Sequence, residues 1–264
     1  MRVAILSDIH GNAVAFDRVI ADAMSFGVVD EIWCVGDIVG YGPSPNDCVA
    51  ELIDASYLGT RVVAVAGNHD RAATGGLSTD DFNPAARRAA EWTASHLAAR
   101  SHAYLERLPL SATAGPNDQF TLVHGSPSDP LWAYTASSWD ASASLEAVAT
   151  AHCIVGHTHV PALFASGPSK PGDASEAGWP SEEWFDDDTP CELRPGVRYL
   201  LNPGSVGQPR DGDPRAAYVL YESDDEGNEV VRLRRVPYDI AGVQARMRAE
   251  GLPEMLANRL SVGR

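Results

Sequence analysis

Five short apolar runs in this chain each end in residues of one chemical kind, and no other feature constrains the fold as much. VAIL leads into Asp8 and His10, WCV into Gly36-Asp37, and VVAVA into Gly67-Asn68-His69-Asp70. Further on, FTLV leads into His124-Gly125 and CIV into Gly156-His157-Thr158-His159. A short apolar run stopped by Gly, Asp or Asn reads as a buried strand entering a tight turn. In open α/β sheets, sites form in the crevice outside the carboxyl ends of strands, so this order would gather scattered polar side chains in one place. Carboxylate, amide and imidazole groups delivered together make a metal-centred hydrolytic site the leading expectation.

The spacing between these runs supports an α/β organisation. Phe16, Val19, Ile20, Ala23 and Met24 fall at helical intervals, with Asn12 as a cap. A strand is expected at 33–35, then a loop into a helix capped by Asn46, with Val49, Leu52 and Ile53 on its inner face. With a third strand at 61–66, the short connections predict parallel strands covered by helices. Residues 83–108 are Ala-rich and helix-like, with Asn83 as cap and Pro84 at the first helical position. Strands at 120–123 and 153–155 flank a helix expected near 142–151. Residues 165–196 are dense in Gly, Pro, Ser and acidic groups and read as a long surface excursion, either disordered or folded over the site as a lid. Strands follow at 198–201, 217–221 and 229–235. The last two form a hairpin about Asp225-Glu226-Gly227-Asn228, and Gly251 splits two terminal helices at 240–250 and 253–260.

At 264 residues, 44% hydrophobic and 21% charged, the chain can bury a large core as one α/β domain over 1–264. No apolar run approaches the roughly 18 residues of a membrane-spanning helix. The apolar start is too short for a signal peptide and is interrupted by Asp8, so a cytoplasmic location is expected. Cys34, Cys48, Cys153 and Cys191 form no CxxC pattern. Cys34 and Cys153 lie inside strand-like runs as buried thiols, which argues against a disulfide framework or thiolate zinc site. A net charge of −16 argues against a general nucleic-acid binder, and no long nucleic acid is expected as a partner. Between 165 and 192, eight acidic residues stand against Lys170 alone, so nearly half of the excess sits in one segment.

Two adjacent cations need one bridging carboxylate, terminal ligands to complete each shell, and open positions for water and substrate. Asp8 and Asp37 supply carboxylates, Asn68 an amide oxygen, and His10, His124, His157 and His159 imidazoles. Metals about 3.5–4 Å apart can share a water or hydroxide and bind two phosphoryl oxygens. A mixed oxygen and nitrogen set without thiolate suits two divalent transition-metal ions, manganese first and Fe, Zn, Ni or Co after it. His96, His102 and His152 have no such partners and read as structural. Trp132, Tyr134 and Trp139 read first as loop packing and second as rings that stack on a base. Asn202 and Gly204 read as a turn beside the site, and Arg210 as a side chain able to reach a substrate phosphate.

Together the motifs DIH, GDIVGYGP, GNHD, VHG and GHTH resemble the calcineurin-like metallophosphoesterase superfamily, and more narrowly its small bacterial and archaeal phosphodiesterase branch. The segment NPGSVGQPRDGDPRAAYVL at 202–220 extends the likeness over nearly the whole chain. The resemblance implies a sandwich of two mixed β-sheets flanked by helices, with a helical insertion at about 74–112 and the acidic excursion decorating the site's rim. It implies one metal held by Asp8, His10, Asp37 and His159, and a second by Asp37, Asn68, His124 and His157, with Asp37 bridging. It also implies that His69 faces the substrate as proton donor or transition-state stabiliser, and that Asp70 orients it. The expected reaction is hydrolysis of a small phosphate ester, a nucleotide among the possibilities, by a metal-bridging hydroxide, with diesters favoured over monoesters. A diadenosine-polyphosphate hydrolase, a protein phosphatase, a non-catalytic metal-binding module and a regulator that recruits a partner through the excursion are the alternatives. No membrane partner is expected.

Overall fold

The computed structural model describes residues 1–167, 180–183 and 185–264. In chain order the elements begin with β1 (Arg2–Leu6), α1 (Ala13–Ser25), β2 (Glu31–Cys34), α2 (Pro45–Tyr57), β3 (Arg61–Ala64) and α3 (Asn68–Ala73). The helices α4 (Pro84–His96) and α5 (Ala99–Arg107) precede β4 (Ser111–Ala114) and β5 (Phe120–Val123). Next come α6 (Ser138–Glu146), β6 (His152–Ile154), β7 (Ala162–Ser166), β8 (Ser181–Glu182) and β9 (Pro190–Glu192). The order closes with β10 (Arg198–Asn202), β11 (Ala216–Ser223), β12 (Glu229–Val236), α7 (Ile240–Ala249) and α8 (Glu254–Arg259).

These strands form two six-stranded mixed sheets, β3-β2-β1-β11-β12-β9 and β4-β5-β6-β10-β7-β8. The first is parallel from β3 to β1 and the second from β5 to β10. Strand periodicity of two divides the apolar residues between layers. Val3, Ile5, Trp33 and Val35 meet Phe120, Leu122, Ile154, Tyr199 and Leu201 in a core shared by both sheets. Ala4, Leu6, Ile32 and Cys34 face the other way, onto Phe16, Val19, Leu52 and Leu105 of the covering helices. On the outer face of the second sheet, Ala141 and Leu145 of α6 pack on Val123, Val155 and Leu200. Burial on both faces explains why these strands read as continuous apolar runs, and each large side chain so buried contributes roughly 1.5–3 kcal/mol. A further cluster joins Ala86, Ala89 and Ala90 of α4 to Val243 and Met247 of α7 and Leu256 of α8, with Tyr41 and Phe82 at its edge. Among the described residues, no helix is long and apolar enough to cross a membrane.

Several local expectations are corrected. Asn46 does not cap α2: Ser44 precedes it, with Pro45 in the first turn. The Asn46 side chain instead donates to the His96 carbonyl (2.8 Å) and accepts from Ala98 N (2.8 Å), tying α2 to the α4–α5 junction. There the helix expected over 83–108 breaks, because Leu97 is extended (φ −66°, ψ 126°). The helix expected near 142–151 starts earlier, since Ser137 and Asp140 cap it reciprocally. Asn12 and Asn83 cap α1 and α4 as anticipated. Of the stretch 165–196, residues 168–179 and Trp184 lie outside the described residues. The described flanks are partly regular, with β8 pairing with β7 and β9 with β12 at the sheet edges.

His152 begins β6 with little exposure, and its Nδ1 accepts the Tyr199 backbone N–H at 3.1 Å. Burial, helped by Arg198, pushes it down to about 4. The folded chain therefore binds fewer protons than the unfolded one between about pH 6.5 and 4. Stability present above that window is lost as pH falls through it, by about 3 kcal/mol from this group. In His152→Asn, which keeps an acceptor, urea unfolding should show a smaller loss between pH 6.5 and 4 than in the parent. Identical losses would refute the assignment.

Candidate metal centre

The C-terminal ends of β1, β2, β3, β5 and β6 meet at one edge of the sandwich, each releasing its polar residues into a turn. These turns are strained. Asp8, His10, Asp37, His157 and His159 all have positive φ, between 50° and 65°, as does Tyr41 at 52°. For residues with a Cβ this costs on the order of 1 kcal/mol each, a pattern that concentrates at functional sites. Glycines permit the close approach of neighbouring turns. A Cβ on Gly67 would run into the Asp37 carboxylate, and one on Gly156 into the Ser7 hydroxyl.

Each carboxylate has one oxygen anchored and the other left facing the site. Asp8 Oδ2 accepts from Ser7 Oγ (2.7 Å) and His157 N (3.1 Å), while the buried Oδ1 has no hydrogen-bond partner among the described residues. Asp37 Oδ1 accepts from His69 N (2.9 Å), and its Oδ2 lies 3.7 Å from His10 Nε2 and 3.3 Å from His124 Nε2. Asp8 Oδ1 lies 3.1 Å from His159 Nε2 and 3.6 Å from His10 Nε2.

Backbone carbonyls decide which imidazole nitrogens face inward. Nδ1–H donates to Val39 O in His10 (3.2 Å), to Gln208 O in His159 (2.6 Å) and to Val35 O in His124 (2.9 Å). A carbonyl can only accept, so in the neutral rings each Nε2 carries a lone pair. Yet His10 Nε2 and His159 Nε2 are 3.1 Å apart. Two acceptors that face each other at this range repel unless a cation lies between them, and His124 Nε2 stands close by His157 Nδ1 (3.1 Å) and Asn68 Oδ1 (3.3 Å), where one ion can be shared. The donor set therefore fits divalent metal. Ligand atoms of Asp8, His10 and His159, of His10, Asp37 and His69, and of Asp37, His124 and His157 cluster within 4.8 Å of one another.

The titration behaviour has the same origin. Burial opposes ionisation of Asp8 and Asp37, but the surrounding imidazoles outweigh it and hold both well below the usual carboxylate range. For His124, burial disfavours the cation, while Asp37 and Asp8 overcome it and raise the group to about 9. Burial pushes His157 down to about 4 and His159 to about 3, and holds His69 well below its usual value. The cluster thus attracts positive charge at its centre, which a proton on His124 serves poorly and a divalent ion well.

Asp70 departs from expectation. Its oxygens accept from Val39 N (3.0 Å) and Gly67 N (3.0 Å), and His69 Nδ1 has no hydrogen-bond partner among the described residues. Asp70 closes the first turn of α3 and locks the β2 and β3 turns together; it reaches His69 through backbone, not through the ring. Burial and the charge of Asp37 push it up to about 7. Asn202 and Gly204 do shape a turn beside the site. Asn202 Nδ2 donates to Gly156 O (2.8 Å) and Thr158 Oγ1 (2.9 Å), bracing the turn that carries His157 and His159. Gly204 N donates back to Asn202 Oδ1 (2.9 Å).

A cleft of about 110 Å³ opens over the cluster, lined by Asp37, Asn68, His69, His157, His159 and Arg210 on its floor. Trp132 and Tyr134 join them, whereas Trp139 is exposed elsewhere. The sequence reading missed Tyr41, Asp81, Phe82 and Ala86 on the same wall. Tyr41 could have been noticed between two glycines; its ring packs 4.4 Å from His10 and 4.3 Å from His69. His96 stacks on Trp92 away from the site, and His102 does not line the cleft.

The fold and this cluster define a metallophosphoesterase, and comparison with known proteins agrees. The chain belongs to the calcineurin-like phosphoesterase superfamily, whose domain model matches residues 1–226. It is 43% identical to a metallophosphoesterase from Sphaerobacter thermophilus, whose crystal structure aligns with a TM-score of 0.80 over 100% of this chain and 99% of that one. It is 33% identical over 266 residues to an uncharacterized protein of Methanocaldococcus jannaschii, covering 99% of this chain and 98% of the relative. A hypothetical protein from Pyrococcus horikoshii OT3 shares the fold at 20% identity, with a TM-score of 0.76 over 100% and 98% of the two chains. Family and site together support metal-dependent hydrolysis of phosphoesters.

Metal binding should be visible as stability. Free metal at a hundred times Kd adds about 2.7 kcal/mol, which corresponds to roughly 5–10 °C in Tm for a chain of this size. Scanning calorimetry of chelator-stripped protein with and without Mn²⁺ should show such a rise, and Asp37→Ala should lose most of it. An unchanged Tm in the parent protein would contradict the centre.

Proposed function

We propose that this protein hydrolyses phosphodiesters with two divalent metal ions. The observation that carries the reading is the convergence of imidazole nitrogens and half-free carboxylates on one buried point. In this reading Asp8, His10, Asp37 and His159 hold one ion, and Asp37, Asn68, His124 and His157 the other. The nearness of Asp37 Oδ2 to both His10 and His124 supports its bridging role. When bound, such a pair supplies an activated water at neutral pH and spreads the phosphoryl charge. Manganese is the favoured occupant on ligand chemistry.

The chain's own residues do the rest. His69, kept neutral by burial, acts as a hydrogen-bond donor to the leaving oxygen or the developing charge rather than as an imidazolium acid. Asp70 holds the turn from which His69 projects. Arg210 lines the cleft; among the described residues its Nη2 makes only long contacts, to Gln208 Oε1 (3.3 Å) and Tyr41 Oη (3.5 Å), and its buried Nε has no partner. A guanidinium so placed binds a phosphoryl oxygen. The diester preference rests on resemblance to the small phosphodiesterase branch.

Chelator-stripped protein reloaded with Mn²⁺ should hydrolyse bis-p-nitrophenyl phosphate faster than p-nitrophenyl phosphate, and lose both activities in chelator. Absent turnover with metal demonstrably bound would sink the enzymatic reading, and monoester preference would sink the diester one. His69→Gln should lower kcat by roughly 10²–10³ while leaving metal content unchanged. Loss of metal instead would make His69 a ligand.

A further inference from the structure

Resting on the phosphoester reading above, we propose that the outer face of Tyr134 is a stacking platform for a planar aromatic group carried by the substrate, and thus a specificity-determining residue. Tyr134 lines the cleft, and its ring lies parallel to that of His157, with centroids 4.2 Å apart and planes at 20°. One face is thereby covered by an imidazole of the metal cluster. The residue nevertheless remains 57% exposed while lining the cleft, so much of its ring is uncovered beside the cluster.

Packing of the loop does not account for this exposure. The loop after β5 is closed by Gly125 N donating to Pro130 O (2.8 Å) and Ser126 N to Asp129 O (3.0 Å). Asp129 Oδ1 accepts from Trp132 N (3.2 Å), and a Cβ on Gly125 would press within 2.7 Å of the Asp129 carbonyl. Trp132 packs against Phe82, centroids 5.2 Å apart, and Thr135, the residue after Tyr134, is buried. Tyr134 is thus an exposed ring on a loop already fixed by other contacts, and a flat apolar surface held in advance binds a ring at little entropic cost.

The cleft divides by chemistry. Arg210 and the imidazole–carboxylate cluster suit the phosphoryl group, and Trp132 and Tyr134 suit a flat ring attached to it. Asp81, also on the wall, is an acceptor for hydroxyl or amine donors. A nucleoside offers ring and donors together; a simple aryl ester offers the ring alone.

Calorimetric titration of the Mn²⁺-loaded protein with methyl phosphate, phenyl phosphate and adenosine 5′-monophosphate, with released phosphate assayed so that only binding heats are compared, tests this. Ring stacking predicts that phenyl phosphate binds more tightly than methyl phosphate by roughly 5- to 100-fold. Tyr134→Ala should bring that ratio close to one and Tyr134→Phe should retain it, with metal content measured in each to show that the cluster is intact. Tighter binding of the nucleotide than of phenyl phosphate, lost in Asp81→Ala, would identify the ring as a nucleobase; equal binding would identify a plain aryl group. A ratio near one in the parent, or a ratio unchanged in Tyr134→Ala, overturns the platform. Ring preference without turnover of either ester would leave the platform standing and remove the hydrolytic reading.

Discussion

Each carboxylate of the centre has one oxygen fixed by hydrogen-bond donors and one turned toward imidazole nitrogens, and the rest of the site depends on this division. It works because Val35, Val39 and Gln208 present carbonyls to the Nδ1–H groups of His124, His10 and His159. The strand ends thereby choose the tautomers, and the tautomers point unshared pairs at one another. Such an arrangement is unfavourable for an isolated chain and favourable around a cation. The positive-φ backbone at five of these residues adds to the cost, so the surrounding fold must over-determine the geometry.

That over-determination comes from the sandwich. Two sheets share one apolar core, and the parallel part of each directs its strand ends toward the same edge. Cross-links between the turns then remove their remaining freedom: Asp70 ties the β2 and β3 turns, His157 N reaches Asp8, and Asn202 braces the turn after β6. The 202–208 segment completes the frame, with Ser205 Oγ and Gly207 N both donating to the Asp8 carbonyl. Rigidity at the floor leaves specificity to the wall, where Phe82, Trp132 and Tyr134 come from segments outside the parallel strands.

Much of the floor was legible in the sequence. Every proposed ligand sits immediately after an apolar run, and a buried strand has few ways to end other than at the turn that follows it. The helix caps at Asn12 and Asn83 were legible for a similar reason, since the residue types and the spacing are local signals. The failures were of contacts between segments. Asn46 looked like a cap and bonds instead to residues 96 and 98; Asp70 follows His69 in the chain, yet its carboxylate bonds to residues 39 and 67. Residues 168–179, where the lid expectation partly falls, lie outside the described residues.

The sequence by itself determined the chemistry: which carboxylates, amide and imidazoles are available, and that strands of both sheets deliver them at one end. Adjacent residues in a strand-turn unit have little choice of relative position, so their order suffices. Tertiary structure alone decided the tautomers, the free and anchored oxygens, the role of Asp70 and the aromatic wall. Those depend on approaches of 2.6–3.7 Å between strand ends and loops far apart in the chain, set by packing of the two sheets and their helices.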